Sequence, residues 1–300
     1  MIFNKLKNKW SKNKFDHFLK QAALRGETKF LILWNRGLGD ISLGLYGLVH
    51  KIRQYIPQAS VTFVTRKELQ ETFFMLDSVR VIVDTSVSRG EAINFEQVLK
   101  NNGLSPNMFD IILQKPDPTN WLKDQINTLT PKLYWDSKWD LYSGKYNLKG
   151  KYIGVHIQTE TGKFYGYEKN WDLPSWRDLF KKLGEQSKEK ILLFGHKPDP
   201  AFLMENVIDL RGKTSFLEMM SVIKNKCFCL VAPDSGVLSI VYYIDMNFPL
   251  RVVSLWADPQ QGVLKHNVSS PNKKLQHIPL CGKDQKVSNI TIDSVLEAIF

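Results

Sequence analysis

The alternation of strand and helix patterns constrains the fold of this 300-residue chain more than any other feature. Apolar runs rich in Val, Ile and Phe, beginning with "KFLILW" at 29–34, alternate with helical patterns as far as residue 114, and the alternation restarts at 151. Strands of this composition, separated by helices, form parallel sheets covered on both faces. The sequence therefore predicts an α/β chain of two Rossmann-like domains whose parallel sheets face a central cleft. Ligands of such sheets bind beyond the carboxyl ends of the strands.

The domain boundary is expected near residue 150, because the preceding stretch 115–150 is rich in turn residues, aromatic residues and lysines. A length of 300 residues also suits two domains better than one core. Within the domains, the pattern predicts a continuous helix over 41–55, a short helix over 200–205 and a last strand over 250–256. The expected divisions are a basic amphipathic extension at 1–29, domains at 30–150 and 151–285, and a C-terminal helix within 286–300.

The net charge of +11 is unevenly distributed along the chain. The first 150 residues contain 22 Lys and Arg against 14 Asp and Glu, whereas the remainder contains 19 against 16. A basic first half predicts an anionic partner, with ordinary solubility as the simpler alternative. Nucleic acid is not the expected partner, because no recognised binding module accompanies the lysines.

Residues 1–29 have the pattern of an amphipathic helix with a cationic polar face. Two interpretations remain open for this segment: attachment to an anionic membrane surface, or packing against the first domain. No apolar run approaches the ~18–20 residues of a membrane-spanning helix. The three cysteines form no CxxC pair, which favours a reduced, disulfide-free, cytoplasmic protein. The apolar positions of the helix pattern are Phe3, Leu6, Trp10, Phe15, Phe18, Leu19 and Ala22.

A tight turn, "NRGLGD" at 35–40, follows the first strand. Gly37 and Gly39 supply two glycines of a dinucleotide fingerprint, but Ser42 occupies the third position. A phosphate cradle here, and with it a nicotinamide oxidoreductase, is therefore poorly supported. Asp40 falls at the start of a helix, where its carboxylate could either accept a proton or cap the helix. Position alone leaves both roles open.

The second domain offers a better anion site in "APDSG" at 232–236. The helix-start N–H groups of Ser235 and Gly236 would suit a phosphate, although a simply capped helix has the same pattern. The loop after the first strand of this domain adds hydroxyl and ammonium groups, and an ordinary exposed loop is again the alternative. The histidines and cysteines show no metal-ligand spacing, so no metal is expected. The polar residues of the loop are Thr159, Thr161, Lys163 and Lys169.

These segments together resemble glycosyltransferase family 9. "RGLGD", "KNWDLPSWRDLF", "DLRGKTSFLEM" and "APDSG" occur in the order typical of that family, and the resemblance covers about residues 30–300. The family comprises heptosyltransferases that use ADP-heptose to extend the lipopolysaccharide inner core, and it has the GT-B fold. The resemblance implies an inverting, metal-independent enzyme without a cofactor. Its partners would be a nucleotide sugar, ADP-linked as in the family, and an anionic glycolipid acceptor.

The resemblance also implies roles for individual residues. Asp40 matches the family's catalytic base, which takes the proton of the acceptor hydroxyl, and Gly37 and Gly39 form an open turn that the acceptor can approach. The donor side is implied at further positions: Thr159 and Lys169 for the phosphates, Asp199 for the adenosine ribose, and Asp234, Ser235 and Gly236 for the sugar and diphosphate.

Two departures from the family pattern lie around the donor sugar. Ser239 stands where many members have histidine, and the usual loop after the last predicted strand is shortened to "WADPQ" at 256–260. The donor sugar is therefore left open between heptose and a related sugar. The two departures also motivate a second hypothesis, in which the chain is a non-catalytic protein that binds a nucleotide or a membrane.

Overall fold

The computed structural model describes residues 12–159 and 168–300. The chain divides into two compact units, 1–134 and 135–300. This division falls earlier than the predicted boundary, because the 3₁₀ segment Ser137–Tyr146 packs within the second unit. There, the Lys224 ammonium lies 2.7 Å from Asp140 Oδ1, and Lys145 forms an ion pair with Glu218.

The first unit is built on a four-stranded parallel sheet in the order β3-β2-β1-β4. β1 and β2 pair in register from Lys29 opposite Ser60 to Trp34 opposite Thr65. Apolar side chains at these positions are buried on both faces, as the uninterrupted Val, Ile and Phe runs predict. The strands are β1 (Lys29–Trp34), β2 (Ser60–Thr65), β3 (Val79–Val83) and β4 (Ile111–Leu113).

Helices and short turns connect these strands. The predicted helix over 41–55 is only partly correct, because its first five residues form a π-helix rather than an α-helix. The elements are α1 (Lys12–Leu24), the π-helical segment Ile41–Leu45, α2 (Tyr46–Tyr55), the 3₁₀ turn Lys67–Leu69, α3 (Gln70–Phe73), α4 (Phe95–Asn101), the 3₁₀ turn Pro106–Met108, α5 (Pro118–Trp121) and the 3₁₀ turn Lys123–Gln125.

The described part of the N-terminal extension packs on the first unit. Phe15, Leu19 and Ala22 are buried, and the Phe15 ring stacks on Trp121 with a centroid distance of 4.9 Å. Of the two interpretations of residues 1–29, packing against the domain is therefore correct for the apolar face of α1. Residues 1–11, which include Phe3, Leu6 and Trp10, lie outside the described residues.

A buried lysine fastens α1 to its neighbours. The Lys51 ammonium lies 2.8 Å from Asp16 Oδ1 on α1 and 2.7 Å from Asp124 Oδ2, and its side chain is 3% exposed. Burial alone would lower the pKa of Lys51, but the hydrogen bonds with the two carboxylates outweigh burial and raise it. This cluster holds α1, α2 and the turn at 123–125 together.

The second unit contains a six-stranded parallel sheet in the order β10-β9-β8-β5-β6-β7. When the strands are renumbered from β5 as strand 1, the order is the Rossmann order 3-2-1-4-5-6. All strands are parallel, and the strand order reverses between β5 and β8. Ligands of such sheets bind where the order reverses. The strands are β5 (Tyr152–His156), β6 (Ile191–Phe194), β7 (Val207–Asp209), β8 (Cys227–Pro233), β9 (Leu250–Trp256) and β10 (Leu275–Cys281).

Two sequence predictions about this unit are wrong. The strand at 250–256 is not the last, because β10 follows it as a half-exposed edge strand that carries Pro279, a residue tolerated at sheet edges. Residues 200–205 form no helix; instead the carbonyl of Pro200 accepts a hydrogen bond from the buried Arg211.

The helices of the second unit cover both faces of its sheet. The C-terminal helix predicted within 286–300 is present at Ile292–Ile299 and packs on the helix Leu173–Gln186 and on β9; its Val295 and Ile299 are fully buried. No helix in the described ranges is long and apolar enough to span a membrane. The helices are α6 (Leu173–Gln186), α7 (Phe216–Lys226), α8 (Gly236–Tyr242), α9 (Gly262–His266) and α10 (Ile292–Ile299), with 3₁₀ turns at Lys283–Gln285 and Val287–Asn289.

Candidate functional site

Asp40 lies at the reversal point of the first sheet, after the carboxyl end of β1. The backbone N–H of Gly37 donates to Asp40 Oδ2 at 3.1 Å, so the half-buried side chain is turned back toward the preceding turn. It makes no capping hydrogen bond to the helical segment that follows. The capping role left open by the sequence is therefore not the one that this side chain adopts.

The residues around Asp40 explain this local geometry. A methyl group at Gly37 would lie 3.1 Å from Asp40 Oδ2, so glycine permits the close approach. The hydroxyl of Ser42 donates to the Gly39 carbonyl at 3.0 Å. Farther along the π-helical segment, a methyl group at Gly44 would lie 3.0 Å from Pro118 Cγ. Short π-helical turns of this kind occur frequently at functional sites.

Basic side chains follow three strands at the same edge of the first sheet. Arg36 lies over the Trp34 ring at 5.4 Å, and Arg66 Nη2 donates to the Arg36 carbonyl at 3.4 Å. Lys115 follows β4 and is exposed. Because the carboxyl ends of parallel strands share one edge, Asp40 is accompanied there by positive charge.

The second unit places Lys169 against Asp234 at the reversal point of its own sheet. The Lys169 ammonium lies 2.5 Å from Asp234 Oδ2, and the two side chains are 11% and 9% exposed. Burial raises the pKa of Asp234; Lys169 opposes this increase, and the charge of Asp258 adds to it. A buried cation and a buried carboxylate, 65 residues apart in sequence, are thus brought together where Rossmann sheets bind ligands.

Ser235 and Gly236 begin α8 beside this ion pair. Ser235 Oγ accepts the N–H of Leu238 at 3.2 Å, and the hydroxyl of Ser239 donates to the Ser235 carbonyl at 3.1 Å. The helix is therefore capped by Ser235, as one of the two sequence interpretations expects. Ser239 is buried, and this contact with the backbone engages its hydroxyl.

Thr159 and Asn170 close the base of the loop that follows β5. The N–H of Thr159 donates to Asn170 Oδ1 at 2.7 Å, and Asn170 Nδ2 donates to the Thr159 carbonyl at 3.0 Å. This reciprocal pair brings Thr159 close to Lys169, the neighbour of Asn170. Thr161 and Lys163 lie outside the described residues.

Asp199 follows β6 in an exposed loop, and a cis peptide bond joins it to Pro200. β6 is the second strand in Rossmann order, and the acid that contacts a nucleotide ribose follows that strand in dinucleotide-binding sheets. Among the hydrogen bonds of the described residues, none joins Asp199 to Lys169 or Asp234.

Sequence reasoning missed two residues of this site. Asp258 follows β9, and its negative charge raises the pKa of Asp234. A methyl group at Gly262 would lie 2.6 Å from Asp234 Oδ1 and 2.9 Å from the Trp256 ring. The position of "WADPQ" after a strand could have indicated Asp258. Nothing local could have indicated Gly262, because its role is a contact with a residue 28 positions earlier.

In residues 12–159 and 168–300, no three or more His, Cys, Asp and Glu side chains are grouped so that they could hold a metal ion.

Solved structures of a family 9 glycosyltransferase and of heptosyltransferases have a similar fold. A glycosyl transferase family 9 protein from Veillonella parvula matches with a TM-score of 0.61 at 14% identity, covering 90% of this chain and 95% of that one. E. coli ADP-heptose lps heptosyltransferase II matches with a TM-score of 0.62 at 17% identity, over 90% and 97%. E. coli heptosyltransferase WaaC with ADP-2-deoxy-2-fluoro heptose matches with a TM-score of 0.54 at 16% identity, over 90% and 98%. These likenesses show the fold.

One segment of the sequence matches a family model. Residues 125–242, which include Lys169, Asp199 and Asp234, match the model of glycosyltransferase family 9 (heptosyltransferase). No curated protein matches the chain. This segment of the chain is similar to glycosyltransferase family 9.

Proposed function

We propose that the chain transfers heptose or a related sugar from an ADP-linked donor to an inner-core lipopolysaccharide acceptor, with inversion and without a metal ion. The observation that carries this proposal is the buried Lys169–Asp234 pair beside the start of α8. It offers a cation and backbone N–H groups to a diphosphate, and a carboxylate to sugar hydroxyls.

The donor half of the site supplies charge stabilisation. As the sugar leaves the diphosphate, negative charge develops on the departing oxygen. Lys169, the Thr159 hydroxyl and the N–H groups at Ser235 and Gly236 stabilise that charge, and such preorganised groups supply much of an enzyme's rate enhancement. Asp199 accepts hydrogen bonds from the ribose hydroxyls.

Asp40 acts on the acceptor. The acceptor hydroxyl oxygen attacks the anomeric carbon and forms the new C–O bond, while the bond to the diphosphate breaks and its electron pair leaves with ADP. The hydroxyl proton passes to the Asp40 carboxylate. Proton removal by a positioned base contributes typically about 10²–10⁴-fold.

The first unit is proposed to bind the acceptor. Arg36, Arg66 and Lys115 at the carboxyl edge of its sheet match the negative charge of phosphorylated or carboxylated glycolipids. An acceptor of this kind is embedded in a membrane, so the enzyme is proposed to work as a peripheral protein at the cytoplasmic face of the bacterial inner membrane.

Sugar transfer tests the proposal directly. The purified chain is incubated with a panel of nucleotide sugars and Kdo–lipid A acceptors, with and without EDTA, and the products are analysed by mass spectrometry. We expect a mass increase of one sugar from an ADP-linked donor, with the same yield in EDTA. Lys169→Met should abolish transfer, whereas Lys182→Met, which removes an exposed surface ion pair with Asp293, should not. Transfer from no ADP-linked donor, or undiminished transfer by Lys169→Met, would contradict it.

Membrane attachment is tested separately. Residues 1–11 contain three lysines and the apolar residues Phe3, Leu6 and Trp10. The full chain should sediment with anionic vesicles at low salt, and deletion of 1–11, which leaves α1 in place, should weaken that binding. Equal sedimentation of the two proteins would contradict a role for this segment.

A further inference from the structure

Arg211, within the "DLRGKTS" segment, is a buried cation that the proposed chemistry does not use. Arg211 is 2% exposed and lies just after β7. Nε donates to Asp209 Oδ1 at 2.9 Å and Nη2 to Asp209 Oδ2 at 2.6 Å, the two-point geometry by which arginine pairs with a carboxylate. Desolvation by burial would raise the pKa of Asp209, but hydrogen bonds from Arg211 lower it overall. The guanidinium is thus fixed in place.

The same guanidinium holds the loop that carries Asp199. Nη2 donates to the Pro200 carbonyl at 2.7 Å and to the Pro198 carbonyl at 3.2 Å, so the two carbonyls flank Asp199 on either side. At the start of the loop, a methyl group at Gly195 would lie 3.3 Å from Arg211 Cγ. Arg211 therefore holds the loop at Pro198 and Pro200, while the Gly195 carbonyl at its start accepts the N–H of Gly212 at 2.9 Å.

A phenylalanine ring completes the surroundings of Arg211. Phe202 is buried, and the Arg211 guanidinium lies over its ring at 5.3 Å. A second arginine, Arg177, lies over the same ring at 5.7 Å but is exposed and makes none of the carbonyl contacts described above. Arg177 therefore provides a matched control, because it contacts the same ring but does not donate to the Pro198 and Pro200 carbonyls.

We propose that Arg211 is a positioning residue that sets the geometry of Asp199 toward the ribose hydroxyls of the nucleotide donor. This inference rests on the proposed function. An exposed carboxylate on an unfastened loop would lose conformational freedom on binding a ligand, and preorganisation reduces that loss. Lysine cannot replace arginine here, because its single ammonium has no counterpart of the Nε–H that donates to Asp209 Oδ1 while Nη2 reaches Asp209 Oδ2 and the two carbonyls.

A double-mutant cycle on ADP binding tests the inference. Calorimetry gives the Kd of ADP for the full chain, Arg211→Lys, Asp199→Asn, their double variant and Arg177→Ala. Arg211→Lys should weaken ADP binding about tenfold, the range expected when hydrogen bonds to a charged group are lost. Because Arg211 acts through Asp199, adding Arg211→Lys to Asp199→Asn should weaken binding no further. Arg177→Ala should bind like the unaltered chain. In the transfer assay, Arg211→Lys should raise the donor KM and leave kcat nearly unchanged.

The outcomes separate the inference from the proposed function. Failure of the unaltered chain to bind ADP overturns the proposed donor site and the inference with it. Normal binding by the unaltered chain and by Arg211→Lys overturns the inference alone, as do additive effects in the cycle. If Arg211→Lys does not fold, as judged by thermal unfolding, Asp209→Asn takes its place in the cycle. It removes the carboxylate that fixes the guanidinium, and the same loss and non-additivity are expected.

Discussion

Gly262→Ala should disturb the donor site through a single added methyl group. Gly262 has φ +49°, a left-handed conformation that costs an L-residue about 1–2 kcal/mol. The methyl group would also lie 2.6 Å from Asp234 Oδ1 and 2.9 Å from the Trp256 ring, well inside contact distance. Overpacking of this kind costs typically about 1–3 kcal/mol. The expected total loss of unfolding free energy is about 2–5 kcal/mol.

The backbone and packing contributions can be measured separately. Gly150→Ala in the same unit changes another left-handed glycine, φ +98°, with no atom within 4 Å of the added methyl group. It should show the backbone loss alone, about 1–2 kcal/mol. Urea unfolding gives both values, and calorimetry gives the Kd of ADP. Because Asp234 must move against Lys169, Gly262→Ala should also weaken ADP binding, and Gly150→Ala should not. Equal stability of the two variants with equal ADP affinity would refute this reasoning.

Two further predictions concern buried ionisable groups. Lys51→Met leaves the carboxylates of Asp16 and Asp124 without their shared cation, so the unfolding free energy should fall by about 3–5 kcal/mol; an unchanged urea midpoint would show that the cluster does not fasten α1. Burial lowers the pKa of His156 to about 4, whereas it is about 6.5 in the unfolded chain. The unfolded state therefore binds the extra proton between pH 6.5 and 4, and stability should fall by about 1.4 kcal/mol per pH unit over that range. Comparison with His156→Gln should show a shallower fall, and identical pH profiles would contradict the assignment.

The sheets could be predicted from the sequence because their cause is local. The strands at 227–233 and 250–256 are mostly apolar runs, and the structure has them at those residues. β10 escaped prediction because it is a half-exposed edge strand with a proline, so neither its burial nor its composition distinguishes it from a loop.

The charged residues of the site could be predicted from the sequence, but the residues that position them could not. Asp40 follows a strand of the first sheet, and Lys169 and Asp234 follow strands of the second; within each parallel sheet the carboxyl ends of the strands lie at one edge. Gly262 and the hold of Arg211 on its loop depend on contacts between separate loops, which carry no periodic signal.

The assignment of Asp40 as the base is the central claim, and turnover by Asp40→Asn tests it most directly. The substitution preserves size and removes the proton acceptor, whereas Asp77→Asn removes an exposed carboxylate elsewhere in the same unit. With saturating ADP-linked donor and acceptor, kcat should fall about 10²–10⁴-fold in Asp40→Asn and remain unchanged in Asp77→Asn. The Kd of ADP should stay the same in both, because the proposed donor contacts belong to the second unit. Full turnover by Asp40→Asn would contradict the account.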